Sequence, residues 1–134
     1  MLGDKVGTES GKVTLQRVLP NSGGAPKMET SIEAKGTLLG VSCTDTATYW
    51  SMVRPDGTLY GEGQGIIMGK SGEMATWVGQ GVGTFKKDGS VSFRGAVYYQ
   101  TTAPAWIRLN SVAAVFEYKV DPKGNTRSTL WEWK

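Results

Sequence analysis

The residues of this 134-residue chain best placed to do chemistry are carboxylates and amides set between glycines. Gly61-Glu62-Gly63-Gln64-Gly65 and Gly79-Gln80-Gly81-Val82-Gly83 carry a glycine at every second position. In a β-strand successive side chains point to opposite faces, so each stretch has one nearly bare face. The opposite face carries Glu62, Gln64 and Gln80. A carboxyl turned into an apolar interior without a cation keeps its proton to higher pH and can serve as a general acid or base. Glu62 is therefore the candidate catalytic residue. The expected ligand-binding set is Tyr60, Glu62, Gln64, Gln80, Tyr98 and Gln100. The glycines do not say which face looks inward, and an outward, solvated Glu62 is equally compatible with the pattern.

Asp45 lies in the hydroxyl-rich run Ser42-Cys43-Thr44-Asp45-Thr46-Ala47-Thr48, sharing its parity with Cys43, Ala47 and Tyr49. Such a run fits a polar lumen, and more often a solvent face, because threonine favours strands. Cys43 is the only cysteine, so no intrachain disulfide forms, and a lone cysteine is mostly a small buried hydrophobe. The chain has no histidine, which excludes Ser-His-Asp and Cys-His nucleophiles and imidazole metal sites. No metal and no cofactor is expected. Gly69-Lys70-Ser71 ends like a phosphate-binding loop, but the required first glycine is Gln64 and a strand follows instead of a helix.

These residues must be positioned by strands. Turn signals recur at short intervals, at residues 20–24, 54–57, 69–72, 87–89 and 121–125. Asp-Gly and Pro-Asp-Gly supply the positive φ that tight hairpins need. Between them run strand-like segments at 12–19, 28–34, 37–53, 58–68, 73–86, 91–101, 112–120 and 126–133, the third long enough to bend near Gly40 or Asp45. The best helical segment is Pro104 to Ser111, with proline at its start. Short links join antiparallel neighbours. About eight such strands leave unpaired edges unless they close. The expected fold is all-β, an antiparallel up-and-down barrel, with a β-sandwich as the alternative. Residues 1–134 form one domain, and residues 1–10 read as a flexible N-terminal segment.

Composition narrows the partners. With 39% hydrophobic and 20% charged residues the chain is an ordinary globular one. Its net charge of +3 is scattered, with Lys86-Lys87 the only adjacent basic pair, so no nucleic-acid partner is expected. No apolar run approaches the ~20 residues that span a bilayer, and the N-terminus lacks the apolar core of a signal peptide. A cytoplasmic protein with no membrane partner is the expectation.

The tract from Thr48 to Trp133 resembles a group of small single-domain prokaryotic proteins of unassigned function. TYWSMVRPDGTLYGEGQG, GQGVG, RGAVYYQT and FEYKVDPKGNTRSTLWEWK carry the likeness. It brings no activity and no catalytic residues. In strand count and glycine pattern the chain is also similar to calycin-type barrels, lipocalin-like and allene oxide cyclase-like. That resemblance implies a small, largely apolar ligand in the barrel mouth. Three functional expectations follow: binding of a small apolar or amphipathic molecule; a cofactor-independent isomerase or cyclase using Glu62 or a tyrosine; or a homo-oligomeric interaction module with Trp131 and Trp133 at an interface.

Overall fold

The computed structural model describes every residue except Ser22. Eight strands follow in order: β1 (Leu2–Leu19), β2 (Lys27–Leu38), β3 (Val41–Val53), β4 (Leu59–Gly69), β5 (Met74–Phe85), β6 (Val91–Thr101), β7 (Ala113–Val120) and β8 (Asn125–Trp133). Each pairs antiparallel with its neighbour in sequence, and β8 returns to β1, closing an up-and-down barrel. Closure leaves no strand edge unpaired. The sandwich alternative is thereby set aside.

The segment expected at 37–53 is divided by a tight hairpin. Leu39 and Gly40 both have positive φ, 47° and 79°, as a two-residue turn between right-twisted strands requires. Residues 1–10, read from sequence as a flexible segment, lie from Leu2 onward in β1. Thr8 pairs with Thr37 on one side and Thr129 on the other. This stretch is barrel wall, and irregularities on either side of Lys5 let consecutive Val6 and Gly7 both be buried.

The barrel has unlike ends. At one, the β3–β4, β5–β6 and β7–β8 hairpins repeat one device. Asp56, Asp88 and Asp121 each accept a backbone N–H two residues on at 2.9 Å. Gly57, Gly89 and Gly124 take the positive-φ position of these turns. At the other end a 3-10 helix, Pro104–Ser111, crosses between β6 and β7 and plugs the barrel. Its Trp106 and Leu109 are 0% exposed, and the Trp106 indole N–H donates to the Leu38 carbonyl at 2.8 Å. Asn110 ties the helix to β6, accepting from the Thr101 N–H and donating to its carbonyl, both at 2.9 Å. The main apolar core lies under this plug, around Val6, Leu38, Ile67, Val97, Leu130 and the two helix residues.

Candidate functional site

The side-chain directions follow from packing around the glycines. A Cβ built on Gly61 would lie 3.7 Å from the Phe93 ring and one on Gly63 2.6 Å from the Tyr49 Cβ. A Cβ on Gly65 would collide with the Trp77 indole nitrogen and stand 2.7 Å from the Asp45 carboxylate. The bare face of the glycine strands therefore looks inward, where it makes room for rings from neighbouring strands. Glu62, Gln64 and Gln80 point outward.

This corrects the site expected from sequence. Glu62 pairs in register with Gln80 on the outer surface. The Tyr60 hydroxyl donates to Glu62 Oε2 at 2.6 Å. Trp50 packs edge-on to Tyr60 at 5.8 Å, Lys27 lies 4.2 Å over Trp50, and Arg54 lies 4.9 Å over Tyr60. Large outer side chains thus cover strands whose inner face is bare. Tyr98, 54% exposed, and Gln100 are also on the outside. Glu62 and Gln80 nonetheless border the lumen, between glycines that leave the wall there bare. The six residues share the outer face of β4, β5 and β6 and do not converge on an enclosed site. Of the tryptophans expected at an interface, Trp131 is half-buried and Trp133 exposed.

The chemistry lies inside. A cavity of about 100 Å³ occupies the lumen between the plug and the hairpin end. Most of its wall is apolar, with Ile32, Val97, Phe93, Phe116 and Leu130 among its lining. Toward the plug, Glu9 from β1 and Asp45 from β3 reach it, 7% and 5% exposed. Their carboxyls lie close enough for each to shift the other's hold on its proton. The Trp77 indole N–H, from β5, donates to both Asp45 oxygens, at 3.0 and 3.1 Å. β1 and β2 approach closely because Gly11 and Gly36 carry no side chain. A Cβ on either would run into a carbonyl of the facing strand, and one on Gly36 would stand 2.8 Å from the Glu9 Cα.

Burial, and then the Asp45 charge, push the Glu9 carboxyl up to about 9. Burial also raises Asp45, while its hydrogen bonds from Glu9 and Trp77 pull it back. Near neutral pH the pair therefore keeps a proton on the Glu9 side. Among the described residues neither carboxyl has an ion-pair partner. No cluster of three side chains able to hold a metal ion occurs among those residues either. Tyr99 from β6, 7% exposed, also lines the cavity, its phenol raised well above its ordinary range by burial and by Glu9 and Asp45.

Four residues beyond Asp45 toward the hairpin end, Tyr49 meets Phe93 and Tyr118 edge-on, at ring separations of 6.1 and 5.6 Å. The Tyr49 and Tyr118 hydroxyls are 3.2 Å apart. Burial raises both phenols, which remain neutral donors. The site thus has a polar floor, apolar walls and an aromatic roof.

Glu9 escaped the sequence reading, yet a signal exists. In Gly7-Thr8-Glu9-Ser10-Gly11 the carboxylate shares the parity of the glycines, whereas in Gly61-Glu62-Gly63 it opposes them. With the glycine face inward, that difference separates a lumen carboxylate from a surface one. Asp45 shares its parity with Cys43, Ala47 and Tyr49, but its run reads more often as a solvent face, and it is not among the expected site residues.

No protein-family model matches the chain, and no curated protein matches it in sequence. Solved structures do match its fold. A conserved protein of unknown function from Rhodopseudomonas palustris superposes with a TM-score of 0.84 at 13% identity, over 98% of this chain and 97% of that one. A protein of unknown function from Clostridium acetobutylicum gives 0.83 at 15%, with 98% of each chain covered. An enzyme from Penicillium herquei gives 0.68 at 14%, over 96% and 92%. At these identities the likeness is one of fold, and it places the chain among small β-barrels that include proteins of unassigned function.

Proposed function

We propose that the protein binds a small apolar or amphipathic molecule inside the barrel, its polar atom turned toward Glu9, Asp45 and Tyr99. The observation that carries this reading is the lumen cavity itself. Ligand sites are typically apolar hollows with a few convergent polar groups, and this one has an aromatic wall with its polar groups gathered at one end. The volume of about 100 Å³ bounds the ligand. Apolar cavities of ~150 Å³ take benzene, so this smaller lumen suits a short branched chain as it stands and a six-membered ring where its walls give slightly. A longer molecule requires the Tyr49–Tyr118 contact to part. The resemblance to calycin-type barrels points the same way.

The Trp77 indole N–H forms part of the floor and is a direct reporter. Titration with cyclohexanone, followed by indole N–H resonances, is expected to move the Trp77 signal saturably. The shift should vanish in Val97→Phe, whose added ring fills the lumen. An unmoved Trp77 signal across cyclohexanone, cyclohexanol and cyclohexane overturns the reading.

A further inference from the structure

We propose that Glu9, Asp45 and Tyr99 form an acid–base site that moves a proton between carbon and oxygen, or between two carbons, of a small enolisable ketone. The barrel is then a cofactor-independent isomerase of small cyclic carbonyl compounds. This rests on the lumen-binding reading above.

Two independent observations meet here. The first is the carboxyl pair, brought to one end of the cavity from β1 and β3 and fixed by the Trp77 N–H on both Asp45 oxygens. The second is Tyr99. Its side chain is 7% exposed and lines the cavity, and its hydroxyl has no hydrogen-bond partner among the described residues. Its oxygen is not sealed in protein, so it faces open lumen. A hydroxyl left free at the polar end of an apolar cavity is a natural donor to a ligand oxygen. The titratable groups facing the pair are neutral: Cys43 on β3, Tyr99 on β6 and Tyr118 on β7.

The chemistry follows from these roles. A ketone oxygen seated at the floor accepts from the Tyr99 O–H and from the protonated Glu9. A tyrosine and a neutral carboxylic acid on one oxygen are the donor pair that ketosteroid isomerase uses to hold an enolate, on an unrelated fold. When Glu9 turns its proton to the ketone, Asp45 loses that hydrogen bond and becomes more basic. Asp45 then removes a proton from the α-carbon. The C–H electron pair becomes the C=C bond, and the carbonyl π pair moves onto oxygen. Asp45, now protonated, returns the proton to the α-carbon or, in a β,γ-unsaturated ketone, to the γ-carbon. Asp45 gives back one proton for each it takes, and in D2O its carboxyl trades that proton for a deuteron, so exchange follows; no electrons leave, and no oxidant, reductant or cofactor enters. The rings of Tyr49, Phe93 and Tyr118 line the cavity on the side away from the carboxyl pair.

The test uses two probes on the intact protein. Cyclohexanone in D2O reports α-hydrogen exchange by NMR, and cyclohex-3-en-1-one reports conversion to its conjugated isomer by ultraviolet absorption. Wild type is expected to catalyse both. Asp45→Asn keeps an acceptor for Trp77 and should lower both rates roughly a hundredfold or more while the Trp77 signal still shifts with ligand. Tyr99→Phe should cost roughly tenfold or more in rate. Because it leaves the carboxyl pair intact, it decides the matter if Asp45→Asn does not fold. A saturable Trp77 shift with neither exchange nor isomerisation above the protein-free rates overturns the acid–base site and leaves the binding reading standing. Exchange undiminished in both variants overturns it as well, and absence of any binding overturns both readings.

Discussion

Burial raises the Asp45 carboxyl, and two groups hold that rise back, the indole N–H of Trp77 and the carboxyl of Glu9. Hydrogen bonds to charged groups contribute about 1.5–3 kcal/mol each, so neither donor is incidental. Trp77→Phe keeps most of the ring that fills the space over Gly65 and removes only the N–H. It is expected to lower stability by about 1.5–3 kcal/mol in urea unfolding. In an Asp45→Asn background the same change should cost markedly less, since an amide needs that donor less than a carboxylate. Equal losses in the two backgrounds would show that Trp77 acts by packing alone. At this scale the sequence was half legible. Asp45 shares parity with Cys43 and Ala47, which are buried, but its hydroxyl-rich run reads more readily as a solvent face. Glu9 shows no such parity, because its inner-face neighbours on β1 are Gly7 and Gly11. A strand whose inner face is glycine and carboxylate shows no hydrophobic alternation.

The glycine strands β4 and β5 explain both what was read and what was misread. Their period of two and their turns located the strands to within a residue or two: β6 spans Val91–Thr101 and the 3-10 helix Pro104–Ser111, as the pattern had it. The inner face was not legible because its filling comes from elsewhere. Tyr49 of β3, Trp77 of β5 and Phe93 of β6 occupy the volume that side chains at Gly63, Gly65 and Gly83 would need. Bare glycine looks like a missing core when its own strand is read alone, and it is a socket when the neighbouring strands are in view. Gly65→Ala tests this. Its Cβ would intrude on the Trp77 indole nitrogen and on Asp45, neither of which can move far between packed strands. It should destabilise by about 1–3 kcal/mol and displace the Trp77 indole N–H resonance. Alanine at Gly40 meets nothing within 4 Å but inherits a φ of 79°, so its cost is local strain with the lumen signals unchanged. If Gly65→Ala left the Trp77 resonance in place, the socket account would fail.

Closure of the barrel gives the carboxyl pair a consequence for the whole molecule. Eight strands sealed at one end by Trp106 and Leu109 keep Glu9 from water in the folded state, while unfolding returns it to ordinary carboxyl behaviour. Folding raises the Glu9 carboxyl from about 4.5 to about 9. Below the lower value both states hold the proton, and Glu9 adds no pH dependence. Between the two, the folded protein keeps a proton that the unfolded chain has released, so stability falls as pH rises. The slope approaches about 1.4 kcal/mol per pH unit where one proton separates the states. Asp45 is raised as well and acts in the same direction at the acid end of that window. The lowered carboxyls of the hairpin turns, Asp56, Asp88 and Asp121, act oppositely, and only in acid, because stability held by a depressed carboxyl is lost as pH falls through its folded value. Being fully exposed, they give way to the buried pair above pH ~5. The urea midpoint is therefore expected to decline from mildly acidic pH toward pH ~9, and Glu9→Gln, which cannot ionise, should flatten most of that decline. A midpoint that rises over this range in the wild type, or a decline that Glu9→Gln leaves untouched, would mean that the proton does not reside on the buried pair. The acid–base site would then lose the neutral carboxyl it needs.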